Sequence, residues 1–245
     1  MTRNRSPFRY LPAHLMDVAQ GPFALFATVA LTICVVIWRL GRKDASAMAD
    51  PSIFVRQVVA AVLTLAVLVA SGGVAGNDVG RGYYRAWFSK PMAPWWFYLQ
   101  RWLLGGVAVL SIPVLLGAGL QLFFGKGTGI TLELMQVTAL GYLLVGGTVL
   151  LASVFTARDW LFTFAITFTQ ARLDDIIRLM TMSKTEPPTM LSWAHTLLPP
   201  YHLISPVKGI PAGNDLFHVI GYGVALVAVA LVLLVVKPLG SGGRA

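Results

Sequence analysis

Residues 76–101 read GNDVGRGYYRAWFSKPMAPWWFYLQR, a basic and aromatic loop between two long apolar runs. Asp78 precedes Gly82 by four positions, and Pro91 follows Gly82 by nine. Arg101 comes ten positions after Pro91, where the next apolar run begins. The loop is too polar to cross a lipid bilayer, so the apolar runs on both of its sides decide the fold class.

Composition places the chain among integral membrane proteins. Hydrophobic residues make up 56% and charged residues 12% of the 245 positions, with a mean hydropathy of +0.72. Soluble domains carry about a quarter charged residues. The net charge of +9 comes from basic residues at the edges of apolar runs. Lipid headgroups and membrane topology explain such a distribution better than nucleic acid, which we exclude as a partner.

A helix needs about 20 apolar residues to cross the hydrocarbon core. Long runs without alternation favour helices over barrel strands. We therefore predict an all-α integral membrane protein with an amphipathic N-terminal segment at 1–20 and a single transmembrane domain at 21–245. The domain is a bundle of six helices, and the predicted spans are 21–38, 53–75, 102–124, 134–157, 160–182 and 216–236.

The fifth span is shorter in its apolar part and carries a charged cluster, Arg172, Asp174, Asp175 and Arg178. Ionisable groups at membrane depth are expensive and are normally paired. The spacings of Arg172 with Asp175 and of Asp174 with Arg178 allow both pairs to form on one helix. The segment is either a full crossing to about residue 182 or a short re-entrant or interfacial helix, and we favour the crossing.

Basic residues predict a cytoplasmic N-terminus. With six crossings, ten Lys and Arg residues fall on the inner side, whereas Arg39, Arg42 and Lys43 oppose this orientation.

Before the first span, apolar residues recur at helical spacing at Phe8, Leu11, Leu15 and Ala19. This pattern is typical of a helix that lies in the headgroup plane.

The loop itself predicts a second in-plane helix. Asp78 is placed to cap a helix that begins near Val79, and Pro91 ends it by about Ser89. Its aromatic residues gather on one side, and its arginines point to the other. An ordinary aromatic belt with positive-inside charges is the alternative interpretation.

The spacing of the loop resembles the first cytoplasmic loop of type-2 ABC transporter permeases. Members of that family carry a glutamate, a Gly-Thr pair four residues on, a proline-small-Ser stretch nine after the glycine, and a basic residue at the third span. Aspartate and tyrosine replace the glutamate and threonine here. The similarity extends to the amphipathic N-terminus, the six-span plan and the segment LLPPYHLISPVKG, and the charged fifth segment departs from it. The matching positions are Asp78, Gly82-Tyr83, Pro91-Met92-Ala93 and Arg101.

The resemblance implies a mechanical role in the bacterial cytoplasmic membrane. Such permeases form dimers with a second copy or a homologue, and each protomer docks one ATP-binding-cassette ATPase subunit, usually for export. The loop helix transmits closure of the ATPases to the spans. The residues of this coupling helix would be Asp78, Arg81, Gly82, Tyr84, Arg85, Trp87, Phe88 and Pro91.

Chemistry within this chain is not expected. A phosphate-binding loop needs the motif G-x-x-x-x-G-K-[ST]. The most similar sequence in this chain, at residues 125–129, has these residue types in the wrong order. ATP and Mg²⁺ would therefore belong to the partner subunit. A metal or acid–base site could be built from His195, His202 and His218 with nearby carboxylates, but no tight ligand spacing is present. We accordingly predict neither a catalytic residue nor a metal ligand.

Small residues mark expected helix packing at Gly72, Gly76, Gly105, Gly106, Gly146 and Gly147.

Two other functions stay open. The chain is either a non-catalytic membrane subunit that anchors or assembles a larger complex, or a membrane-embedded enzyme that acts on lipid-type substrates.

Overall fold

The computed structural model describes residues 11–41, 51–75, 93–125, 130–207 and 209–236. Over these ranges the chain is helical, with one isolated β-bridge between Ser205 and Gly209. The helices are α1 (Leu11–Gln20), α2 (Pro22–Gly41), α3 (Pro51–Ser71), α4 (Pro94–Phe124), α5 (Leu132–Ser153), α6 (Asp159–Met182), α7 (Thr189–Leu197), a 3₁₀ turn (Tyr201–Leu203) and α8 (Asn214–Val236).

Within the described ranges, four helices are long and apolar enough to cross a membrane: Ser52–Ser71, Pro94–Leu122, Leu132–Ser153 and Asn214–Val236. Helices α1 and α2 meet at a 42° bend and together form a fifth candidate. Helix α6 is not among the candidates, since charged residues interrupt its apolar run. The architecture is that of a multi-pass helical membrane protein with four or five candidate crossings, and the sixth crossing stays a prediction.

Three predicted boundaries differ from the observed helices by four residues or more, and one of them is the end of α3, which lies at Ser71 instead of 75. Helix α4 begins at Pro94, eight residues before the predicted start at 102, so the aromatic residues before Arg101 form its first turns. Proline suits this position because a first-turn residue needs no backbone N–H. Helix α5 ends at Ser153 instead of 157, and a tight turn leads from it into α6.

Contacts define two ends of the bundle. At one end, the last turn of α3 meets the starts of α4 and α6; we call this the loop end, because residues 76–92 leave from it. At the other, the far end, the starts of α3 and α5 meet through an ion pair. There Arg56 Nη2 lies 2.5 Å from Glu133 Oε2. The far end also receives the segment before α8, because Gly209 lies against the same Glu133 carboxylate.

Tyr142 fills the contact between α4 and α5. Its hydroxyl donates to the backbone carbonyl of Trp102, and its ring packs 5.1 Å from the indole. A Cβ added at Gly106 would lie 2.8 Å from Tyr142 Cε1, and one at Gly146 would lie 3.2 Å from its Cε2. A third glycine, Gly105, faces the same hydroxyl. These glycines provide the space that the tyrosine occupies.

Helices α5 and α8 approach through a second pair of glycines. A Cβ at Gly147 would lie 3.4 Å from the carbonyl oxygen of Gly223, and one at Gly223 would lie 2.7 Å from Leu143 Cγ. Gly72 differs, because its nearest atoms belong to Leu68 of its own helix. Gly76 lies outside the described residues.

We expect Gly223→Leu to destabilise the protein by about 1–3 kcal/mol, because the new side chain overfills the contact with Leu143. Gly221→Leu is the matched control, since a Cβ there meets no atom within 4 Å. Thermal unfolding in mild detergent should show a lower midpoint for the first variant alone. Equal midpoints would contradict the close packing of α5 and α8.

Candidate functional site

The loop end is organised by the buried carboxylate of Asp159. The residue is 1% exposed and begins α6. Its Oδ2 accepts the backbone N–H of Gly73 at 2.6 Å, and its Oδ1 accepts that of Trp160 at 2.7 Å. Gly73 has φ 69°, a left-handed conformation that glycine adopts without strain. The carboxylate therefore holds the segment that leads from α3 into residues 76–92.

Arg101 holds the same segment from the other side. Its Nη1 donates to the carbonyl of Val74 at 3.2 Å. Arg101 lies on α4, so the exit from α3 is hydrogen-bonded to α4 through Val74 and to α6 through Gly73. Arg101 is also the basic residue that the family resemblance places at the third span.

Burial raises the pKa of Asp159. The N–H groups of Gly73 and Trp160 and the charge of Arg101 oppose this shift, because each of them favours the carboxylate form. The raised pKa means that burial outweighs the hydrogen bonds and the arginine. The ionised form of this carboxyl is therefore more costly in the folded protein than in the unfolded chain.

Helix α1 completes this end of the bundle. His14 is buried, and its ring packs edge-on against Phe97 with the centroids 4.6 Å apart. Phe97 belongs to the first turn of α4, which carries Arg101 one turn later. The exit of residues 76–92 is thus surrounded by α1, α3, α4 and α6.

All eight predicted coupling residues, from Asp78 to Pro91, lie outside the described residues. The structure describes the residues that precede and follow the loop, and the predicted helix near 79–89 stays a prediction. Sequence reasoning missed Asp159. An acidic residue directly after a basic one at the end of an apolar run was the available signal, but such a pair is ordinary at a membrane edge.

A second polar site lies where the chain that links α6 to α8 dips into the bundle and contacts α5 and α6. The hydroxyls of Tyr201 and Thr148 are 2.6 Å apart. Thr148 is 16 positions after Leu132. At a rise of ~1.5 Å per residue, it lies about 24 Å from the far end of α5. Gly209 is back at the far end beside Glu133. The described residues 197–207 therefore enter the bundle and return toward that end, and we call them the re-entrant segment.

The re-entrant segment meets the charged part of α6. Asp174 Oδ2 pairs with Arg178 at 2.8 Å, while its Oδ1 lies 3.7 Å from His195 Nε2. The rings of His195 and His202 are 4.6 Å apart, and Gln170 Nε2 is 3.2 Å from His202 Nδ1. We call Asp174, His195 and His202 the histidine cluster.

Other charged residues have different surroundings. The guanidinium of Arg172 lies 5.0 Å from the centre of the Phe168 ring, in place of the predicted partner Asp175, which is exposed. His218 is on α8, where its ring packs 6.1 Å from Tyr222. The predicted pair of Asp174 and Arg178 does form.

Burial lowers the pKa of His202, and the neighbouring His195 lowers it further. Asp174 acts in the opposite direction, since a carboxylate favours the imidazolium. The result favours a neutral imidazole at His202, which can both donate and accept a hydrogen bond.

No protein-family model, curated protein or solved structure matches this chain. The interpretation of both sites therefore depends on their own geometry and on the loop pattern of the sequence.

We expect Asp159→Ala to destabilise the protein by about 1–3 kcal/mol, because the N–H of Gly73 loses its buried acceptor. Asp175→Ala, an exposed carboxylate on the same helix, serves as the control. Thermal unfolding measures both variants, and a loss of equal size in the two would mean that Asp159 does not hold the exit of α3.

The raised pKa of Asp159 predicts a pH dependence. Between the ordinary aspartate pKa of 3.8 and the raised pKa of Asp159, the folded protein binds the proton more tightly than the unfolded chain does. Stability from this group is therefore present at low pH and is lost as the pH rises through that window. Relative to Asp159→Asn, the wild-type unfolding midpoint should fall as the pH rises above the ordinary aspartate pKa, because the folded protein holds the proton of Asp159 more tightly. A difference between the two unfolding midpoints that stays constant with pH would show that the pKa of this carboxyl is not perturbed.

Proposed function

We propose that this chain is the membrane-spanning permease subunit of an ATP-binding-cassette exporter. A separate ATPase subunit docks on the loop 76–101, and ATP and Mg²⁺ bind to that subunit. The N-terminus and the loop face the cytoplasm of a bacterium, and a second permease copy or a homologue completes the transporter within the membrane lipids. The attachment of the loop exit to two other helices is the observation that carries the proposal.

The geometry suits the transfer of movement from the loop to the bundle. A partner that shifts residues 76–92 pulls on Gly73 and Val74, which lie three and two positions before that segment. Gly73 is bonded to Asp159 on α6, and Val74 is bonded to Arg101 on α4. Both helices therefore receive the displacement through hydrogen bonds between their side chains and the backbone of Gly73 and Val74.

Helix α6 extends this connection away from the loop. It is continuous from Asp159 to Met182, and its Gln170 contacts His202 in the re-entrant segment. Contiguous chains of hydrogen bonds and rigid helices are the kind of network that carries coupling between distant sites. A rocking of α6 at the loop end would thus reposition the re-entrant segment within the bundle.

A non-catalytic anchoring or assembly subunit is the second candidate. The charged second half of α6 favours it, because this helix is not among the apolar candidate crossings. An anchoring subunit needs stable association with other membrane proteins but no ATPase. The two functions therefore differ in what is purified with the chain.

We expect purification from the native membrane in mild detergent to recover a stoichiometric ATP-binding subunit with measurable ATP hydrolysis. Changing Arg81, Arg85 and Trp87 together to Ala should remove that subunit, because the proposed docking helix loses its charges and its central aromatic residue. Arg172→Ala is the control, since Arg172 lies on α6 away from the loop.

Mass spectrometry of the purified complex and a phosphate-release assay give the readout. A stable complex that contains other membrane proteins but no ATPase would overturn the transport proposal and favour the anchoring subunit. Retention of the ATPase by the triple variant would move its docking site away from the loop.

A further inference from the structure

We propose that the histidine cluster of Asp174, His195 and His202 binds one divalent transition-metal ion, for which zinc is the best fit. The proposal does not depend on transport or on the ATPase. Neutral imidazole nitrogens and a carboxylate oxygen are the ligands that zinc takes in proteins. The three residues come from α6, α7 and the 3₁₀ turn, which the re-entrant segment brings together.

The distances suit a site that closes on a cation. One ligand atom from each residue lies within 4.8 Å of the other two. Zinc–ligand bonds of 2.0–2.1 Å in a tetrahedron hold the ligand atoms about 3.3 Å apart. Side-chain rotations that move each ligand atom on the order of 1 Å therefore bring the three atoms to zinc distances, and no helix has to move.

Unsatisfied polar atoms at the cluster point to a ligand. His195 Nε2 is buried, and no atom of the described chain hydrogen-bonds to it. The side-chain oxygen of Gln170, a residue with 0% exposure, is also without a partner in the part of the chain that is described. Buried polar atoms without partners are costly. A cation that accepts the lone pair of His195 removes one of these costs.

Gln170 is placed to orient His202. Its amide nitrogen is 3.2 Å from His202 Nδ1, and the amide can be turned over without changing its shape. In the turned orientation its oxygen accepts the Nδ1–H of His202 and leaves Nε2 free to bind a cation. Metal-binding histidines commonly donate their other ring N–H to such an acceptor.

The charges are compatible with binding. Arg178 pairs with Asp174 Oδ2 and leaves Oδ1 on the side of His195. The arginine side chain is 52% exposed, so solvent screens its repulsion of the cation. With three protein ligands, the fourth position of the zinc is left to water. The bound ion would link the re-entrant segment to α6.

The experiment uses the full chain, purified in mild detergent with a tag that contains no histidine and stripped of metal with a chelator. Zinc chloride is then titrated against a chromophoric zinc indicator, and bound zinc is counted by atomic absorption. We expect one zinc ion per chain. His195→Ala, His202→Ala and Asp174→Asn should each weaken binding by at least about 10-fold.

His218→Ala and Asp175→Asn are matched controls, because these residues lie near the cluster in sequence but outside it in the structure. Both should keep wild-type affinity. Binding that is unchanged in the double variant His195→Ala/His202→Ala would overturn the proposal, as would a wild-type chain that binds no zinc.

Cobalt binding to the wild-type chain supplies a test that needs no variant. A tetrahedral Co²⁺ site with nitrogen and oxygen ligands gives intense visible absorption, whereas a six-coordinate surface site gives only weak bands. Strong bands that zinc displaces in equimolar amounts support the cluster as the site. Weak bands alone would overturn it, even if a ligand variant fails to fold.

Discussion

The hydrogen bond from the Gly73 backbone to the Asp159 carboxylate is the contact on which the loop end depends. A helix end leaves backbone groups without intrahelical partners, and an apolar bundle offers few replacements. At the end of α3 the carboxylate accepts the N–H of Gly73, and Arg101 donates to the carbonyl of Val74. These two contacts position the exit of α3 between α4 and α6.

Packing in the middle of the bundle obeys a related constraint. Lipid is as apolar as a leucine side chain, so helices in a membrane associate through close contact and polar bonds. Tyr142 combines both, because its ring occupies the space left by Gly106 and Gly146 while its hydroxyl bonds to the Trp102 carbonyl. The contact of Gly147 with Gly223 brings α8 against α5 in the same manner. Polar groups and small residues together replace the hydrophobic driving force of a soluble core.

Hydropathy predicted the long apolar helices that pack against one another in this bundle, because span length and apolar content are local properties of the chain. The start of α4 was placed too late, since its aromatic first turns look like an interfacial belt when read without Pro94. The pair of Asp174 and Arg178 was predictable from spacing on one helix. Asp159 was not, because its partner Gly73 is 86 positions away.

The histidine cluster shows the same limit more sharply. His195 and His202 lie 21 and 28 positions after Asp174, with no spacing that indicates a metal site. They meet Asp174 only because the re-entrant segment turns back between α5 and α6. The search for tight ligand motifs therefore predicted no metal ligand, and tertiary structure supplied the proximity that the spacing lacks.

Helix α6 places the two polar sites on one rigid element. Asp159 begins the helix at the loop end, and Gln170 contacts His202 11 positions later. At ~1.5 Å per residue, these points are about 16 Å apart along the axis. An ion that fixes the re-entrant segment to α6 therefore also restricts how far Asp159 can move with the loop exit. By thermodynamic linkage, if the ion changes the affinity for a partner that displaces the loop, that partner changes the affinity for the ion by the same factor.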